Sequence, residues 1–387
     1  MNRTMNVILL FLVTALYFTS YYIFAPILPL YIDFLGGDER VVGLLVGLLS
    51  AAAVIFKVVC GRLVRRKGSP FVLRLGLVII AVVPALYIPK FGFPFLGVVR
   101  IINALGMAGF IMGSQSLLAS FAQPHNRGLL FGIYSAVTGL GMMAGPALGL
   151  YLVDVVGFTN LFWITSGIGF MALVGSIFLE SPTQSQTVET LEGTVESYSS
   201  WANRSLVTIS GVMLSVSMVL GATSSFLTLH AIQVGISNPA AFFVIFAGMF
   251  TVGGSLSGYG SDRLGRGAVV IPGFFVLIFG LFTLSGMSGQ LSLIVSAASS
   301  GLGFGVINTV LMAMVSDVSS KDEFPQAMAF FSNAFDVGFV IGSMGLGIVA
   351  AYSYSAVWLT LAGTSIIGLI VFYMFSKRKQ PSADVQS

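Results

Sequence analysis

Charge is what this chain has least of. Only 8% of its 387 residues are Asp, Glu, Lys or Arg, about a third of the share in a soluble domain, so they cannot build a water-facing surface. Cysteine is nearly absent too: Cys60 stands alone, which excludes an internal disulfide, and with only two histidines nothing has the spacing of a metal site. Walker-type phosphate loops, HExxH and a nucleophile-elbow GxSxG in suitable context are all missing, so neither an enzyme nor a cofactor is expected. The net charge of +4 is too small to mark a nucleic-acid partner.

What the chain does have is hydrocarbon. Hydrophobic residues make up 56% and the mean hydropathy is +0.97. Apolar runs of about 20 residues recur along the whole length, each able to cross a ~30 Å hydrocarbon core as a helix. They lack the alternation of transmembrane β-strands. The first run continues far beyond a signal-peptide core and has no clean small-residue cleavage site, so it reads as a retained helix. Twelve helices are expected, near residues 6–32, 41–61, 70–89, 94–121, 127–153 and 159–179, then 204–232, 239–259, 268–286, 290–317, 325–350 and 355–376. The fold class is an all-α membrane protein embedded in the lipid bilayer.

Basic residues orient it. One set of connections holds Lys57, Arg62, Arg65, Arg66, Lys67, Arg74, Arg127, Arg263, Arg266, Lys321 and Lys377 to Lys379, whereas the other holds only Arg40 and Lys90. By the positive-inside rule both termini are cytoplasmic, in a multi-pass protein of the plasma (cell) membrane. A polar segment, residues 181–203, separates a first half (1–180) from a second (204–387), each with six helices. Shifting the second half back by 197 positions lays Gly258 on Gly61, Arg263 on Arg66, Gly265 on Gly68, Gly303 on Gly106, Ser332 on Ser135, Gly338 on Gly141 and Gly342 on Gly145. One ungapped register therefore relates the halves as a parallel repeat about an axis along the membrane normal.

Two loops stand at equivalent places in that repeat, GYGSDRLGR (Gly258 to Arg266) and GRLVRRKGS (Gly61 to Ser69). The former resembles the GxLxDRxGR signature of the major facilitator superfamily, with Gly258, Asp262, Arg263, Gly265 and Arg266 matching. The latter keeps Gly61, Arg66 and Gly68 but has Arg65 where the aspartate belongs. The resemblance implies a twelve-helix fold of two pseudo-symmetric halves and a transport function. It also implies a cytoplasmic gate. The inverted polarity suggests that Arg65 and its neighbours pair with acidic Asp317, Asp322 and Glu323, and Asp262 with His125 and Arg127. At about 0.2 to 1 kcal/mol each, such exposed pairs suit a gate that must open.

On the fifth helix Gly132, Gly141, Gly145, Pro146 and Gly149 follow a spacing similar to that family's antiporter signature, with Leu150 in place of its last glycine. Small residues one turn apart allow close packing and proline bends the helix; generic helix packing is the competing explanation.

Ionisable groups inside the bilayer are expensive and usually functional. Arg100, in GVVRIINALGMAGF, resembles the family's RxxxG-type motif tied to proton relay; snorkelling to the outer surface is the alternative. Asp336 lies some eleven residues into the eleventh helix, about 16 Å at 1.5 Å per residue and so near mid-membrane, which makes it a candidate reversible proton site. Asp33 and His230 occupy equivalent positions at the outer ends of the first and seventh helices, and Asp33 is a weaker coupling candidate. Tyr17 and Tyr21, Asn103 and Met107, and Asn308 and Met312 are pairs at i and i+4 on helices that surround the central cavity in the family fold. If they line it, the pocket is apolar, aromatic and methionine-rich, which suits a neutral, amphipathic or lipophilic-cationic substrate. The expected function is efflux of small organic molecules by a monomer coupled to protons, similar to the drug/proton antiporters. A proton symporter or facilitator for a sugar or metabolite, and a non-transporting receptor or scaffold, are the alternatives.

Overall fold

The computed structural model describes residues 3–122, 127–179, 204–319 and 324–379. Among them every regular element is helical, and eleven helical spans are long and apolar enough to cross a membrane. One of these belongs to an element of 51 residues, Arg127–Ile177, twice what a bilayer needs. It is interrupted at Gly157, where φ 74 and ψ 171 are not helical. The expected fifth and sixth helices are therefore both present, joined by a glycine corner instead of a longer loop.

We number the spans α1 (Arg3–Phe34, broken at Ala25-Pro26), α2 (Glu39–Lys67), α3 (Ser69–Tyr87), α4 (Phe93–Phe121), α5 (127–156) and α6 (158–177). The second series is α7 (Arg204–Gln233), α8 (Ala240–Leu264), α9 (Arg266–Ser285), α10 (Gln290–Val318), α11 (Phe324–Val340, continued to Ala350) and α12 (Tyr354–Lys379). Local chemistry sets the boundaries. Asp38 caps α2, its carboxylate accepting from the Val41 N–H at 2.9 Å, while Arg65, Arg66 and Lys67 occupy its last turn, where the helix dipole favours cations. Prolines open α3 and α4 in the first turn, where no N–H is needed.

The chain divides into two compact units, Met1–Glu189 and Thr190–Ser387. Each has the same internal pattern. In the first, α4 packs on α2 and α3, and α1 on the α5–α6 element; in the second, α10 packs on α8 and α9, and α11 on α7. Lipid tails offer helices no hydrophobic gain from association, so close approach and hydrogen bonding must hold them together. Small residues supply the approach: a Cβ on Gly76 would lie 2.4 Å from the Phe110 nitrogen, and one on Gly303 2.6 Å from the Gly273 carbonyl. Polar side chains supply the ties. In the first unit Ser114 meets the Tyr134 hydroxyl at 2.9 Å, Ser20 donates to the Thr165 carbonyl at 3.1 Å, and Tyr31 donates to the Tyr87 carbonyl at 2.6 Å. Arginines close helix ends: Arg3 donates to the Phe121 carbonyl at the end of α4, and Arg74 to the carbonyls of Ser176 and Ile177 at the end of α6 and of Leu179 just past it.

Candidate functional site

The two signature loops have one backbone. Gly68 turns with φ 85 and ψ 157, and Gly265 with φ 90 and ψ 149. Positive φ is the reason both copies keep glycine there, since an L side chain resists that conformation. Their polar chemistry differs. Arg266 donates from Nε to Asp317 Oδ2 at 3.0 Å, from Nη2 to Oδ1 at 3.4 Å, and from Nη1 to Ser261 Oγ at 2.7 Å. The repeat places Ser69 and Ser120 where Arg266 and Asp317 stand, and in the first unit the tie is a neutral one, Ser69 Oγ to Ser116 Oγ at 2.7 Å. Asp317, expected to serve the first-half arginines, is thus engaged by Arg266 of its own half. Arg65, Arg66 and Arg263 are exposed and Gly61 is buried. The Asp262 side chain, the surroundings of Gly258 and Gly132, and His125, Lys321, Asp322 and Glu323 lie outside the described residues.

Arg100 and Asp336 are charges within membrane helices that the repeat does not match. Arg100 on α4 is 6% exposed, so it does not reach water by snorkelling. Its Nε donates to the Leu45 carbonyl at 2.7 Å and its Nη2 to the Val46 carbonyl at 3.2 Å, tying α4 to α2. Ala297 replaces it in the second half. Asp336 on α11 is half-buried. At about 100° per residue it points away from Gly338 and Gly342, whose hypothetical Cβ atoms would lie 2.3 Å from the Leu214 carbonyl and 2.0 Å from the Met218 carbonyl of α7. The matching residue in α5 is Gly139, and a Cβ there would meet nothing within 4 Å. Asp336 therefore occupies the helix face that is open in its repeat partner. Asp33, at the end of α1, is exposed.

The aromatic candidates separate into core and face. Tyr17 is fully buried, stacked on Phe110 with ring centroids 3.6 Å apart, and its hydroxyl has no hydrogen-bond partner among the described residues. Tyr21 is half-buried and packs with Met107 and Phe56 over Leu49, Ala53 and Ala104. Asn103 is 5% exposed with its Oδ1 also unpartnered. On α10, Met312 is exposed and its sulfur lies 4.0 Å from Asn308 Nδ2.

The glycines of the antiporter-like motif face α1: Cβ atoms on Gly141, Gly145 and Gly149 would lie 3.0, 2.5 and 2.2 Å from Phe18, Tyr22 and Ile23. Gly338 and Gly342 do the same for α11 against α7, so this stripe is a packing device shared by both halves. Where α5 carries Pro146 inside its helix, the repeat position of α11 lies in a π turn, Ile341–Gly345, with Leu346 N–H donating to the Ile341 carbonyl at 3.2 Å. Sequence reasoning missed this π turn, which no proline announces. It placed His230 at the outer end of α7 but not its partner: buried at 4% exposure, its Nδ1 accepts from Trp358 Nε1 at 2.9 Å, a pairing across 128 residues that helical periodicity cannot reveal.

Among the described residues, two units of six helices with matched turns and matched glycine stripes define a multi-pass membrane protein. The Major Facilitator Superfamily model matches residues 10–290 and 240–387, and the chain belongs to that family. It is 25% identical over 356 residues to an uncharacterised MFS-type transporter of Methanocaldococcus jannaschii, covering 88% of this chain and 91% of the relative. It is 24% identical over 383 residues to the multi-drug resistance efflux pump PmrA of Streptococcus pneumoniae, covering 92% and 93%. A solved structure of the nucleoside transporter NupG superposes with a TM-score of 0.78 over 95% of this chain and 99% of that one, at 16% identity, a likeness of fold.

Proposed function

We propose that this transporter exports small organic or drug-like molecules in exchange for protons, by alternating access. The observation that carries the reading is Asp336, a half-buried carboxylate deep in an apolar helix, on the face turned away from the α7 contact. A group there that alternates between charged and neutral forms pays a different desolvation cost in each, which is what couples protonation to a conformational change. In this reading Tyr21 and Met107 of the first unit, and Asn308 and Met312 of the second, are each candidates to contact substrate. Their aromatic and thioether character suits lipophilic or cationic molecules through stacking and adaptable packing. Arg100 acts as a fixed strut between α2 and α4, because its guanidinium donates to two backbone carbonyls. The name of PmrA, and that of the quinolone resistance protein NorA of Staphylococcus aureus, 28% identical over 227 residues, 56% of this chain and 57% of the relative, support efflux. The protein works as a monomer in the plasma membrane with both termini cytoplasmic.

The test is reconstitution into liposomes with an imposed pH gradient, following cationic dyes, drugs and sugars together with internal pH. Uptake of a dye against its gradient, with protons leaving as it enters, is the expected result. Co-directional movement of substrate and proton would replace antiport by symport.

A further inference from the structure

We propose that the cavity at the ends of α9, α10 and α12 binds the phosphate headgroup of an anionic membrane lipid. This site is separate from the transport reading above and stands or falls without it. The cavity has a volume of about 510 Å³ and is lined by Arg266, Asp317, Ser376 and Lys377 above an apolar floor of Ile271, Met314 and Phe372. Asp317 and Ser261 hold the Arg266 guanidinium in place. Lys377 stands at the rim, its ammonium 4.8 Å from the centroid of the Tyr373 ring. Two cations against one carboxylate leave the pocket net positive, and the N-terminal end of α9, capped by Gly265 without a side-chain bond, adds to it.

The surroundings favour a lipid over a soluble anion. Phe275, Phe279 and Phe282 on α9 are exposed at i, i+4 and i+7, and Ile367, Ile370 and Met374 are exposed on α12. These two helices pack together, so the polar cavity sits at one end of an apolar surface long enough for acyl chains. The Lys/Arg bias puts that end in the cytoplasmic leaflet, where anionic headgroups collect. The first half differs at the equivalent place. Ile271 corresponds in the repeat to Arg74, which spans the equivalent gap by bonding the carbonyls at the end of α6, and Arg266 corresponds to neutral Ser69.

Native mass spectrometry of the delipidated full chain, titrated with phosphatidylglycerol, tests the site. The wild type should bind one molecule saturably, with phosphatidylcholine much weaker. Lys377→Gln should weaken phosphatidylglycerol about fivefold, the share of one surface cation; Lys377→Arg should restore it; Asp317→Asn should strengthen it. Ala268→Phe, an exposed lining position, should block binding without changing charge. Equal phosphatidylglycerol binding by the wild type, Lys377→Gln and Ala268→Phe would overturn the proposal. Displacement of the lipid by inorganic phosphate at matching concentration would overturn the lipid assignment.

Discussion

The first and second halves make the same turn with different chemistry. Gly68 and Gly265 adopt nearly one conformation, yet behind Gly265 a guanidinium grips a carboxylate, and behind Gly68 two hydroxyls meet. The same contrast recurs along the chain. The glycine stripes of α5 and α11 pack alike on α1 and α7, whereas Arg100 and Asp336 have no charged counterparts. What the repeat preserves is backbone geometry, because a positive φ or a 2 Å approach tolerates one residue type. Side-chain chemistry has more than one solution and has diverged.

Substitutions can break that comparison in order of effect. The largest loss is expected at a tight pair of repeat positions: Gly342→Ala, whose Cβ would meet the Met218 carbonyl at 2.0 Å, and Gly145→Ala, at 2.5 Å from Tyr22, should each destabilise by about 1–3 kcal/mol. Gly139→Ala, with nothing within 4 Å, should change stability by less than about 0.5 kcal/mol. Thermal unfolding in detergent reads all three, and equal melting points for Gly342→Ala and Gly139→Ala would break the packing argument. Next come the turns: Gly68→Ala and Gly265→Ala should lose about 1–2 kcal/mol each. Because a Cβ on Gly265 meets nothing, that cost is conformational, and a large difference between the two variants would show that the turns are not equivalent. Smallest is the ion pair. With its side chains 26% and 47% exposed, Asp317→Asn should cost about 0.2–1 kcal/mol. The deficit should shrink in high salt, whereas any effect of Ser69→Ala should be salt-independent.

Much of the architecture was legible from hydropathy, turn residues and the repeat register, because bilayer thickness and backbone satisfaction leave a chain like this few options. The all-helical class, the order of the helices and the glycine turns all followed from such local rules. Partners did not. Nothing in the spacing of Asp317 says whether it serves the arginines of the first half or Arg266, and the sequence leaves Arg100 between relay and snorkelling, whereas its guanidinium bonds two backbone carbonyls of α2. Tyr17 and Tyr21 share a helix face by periodicity, yet one is sealed against Phe110 and the other borders Met107. That difference depends on which neighbouring helix lies over each ring, and helical spacing alone does not encode it.

The most direct test of the proton-coupling account is Asp336→Asn in proteoliposomes, with pH-gradient-driven transport and substrate exchange at equal pH measured on one preparation. The account predicts loss of gradient-driven accumulation with exchange retained. Full accumulation by the Asn variant would contradict it and remove Asp336 from the coupling mechanism.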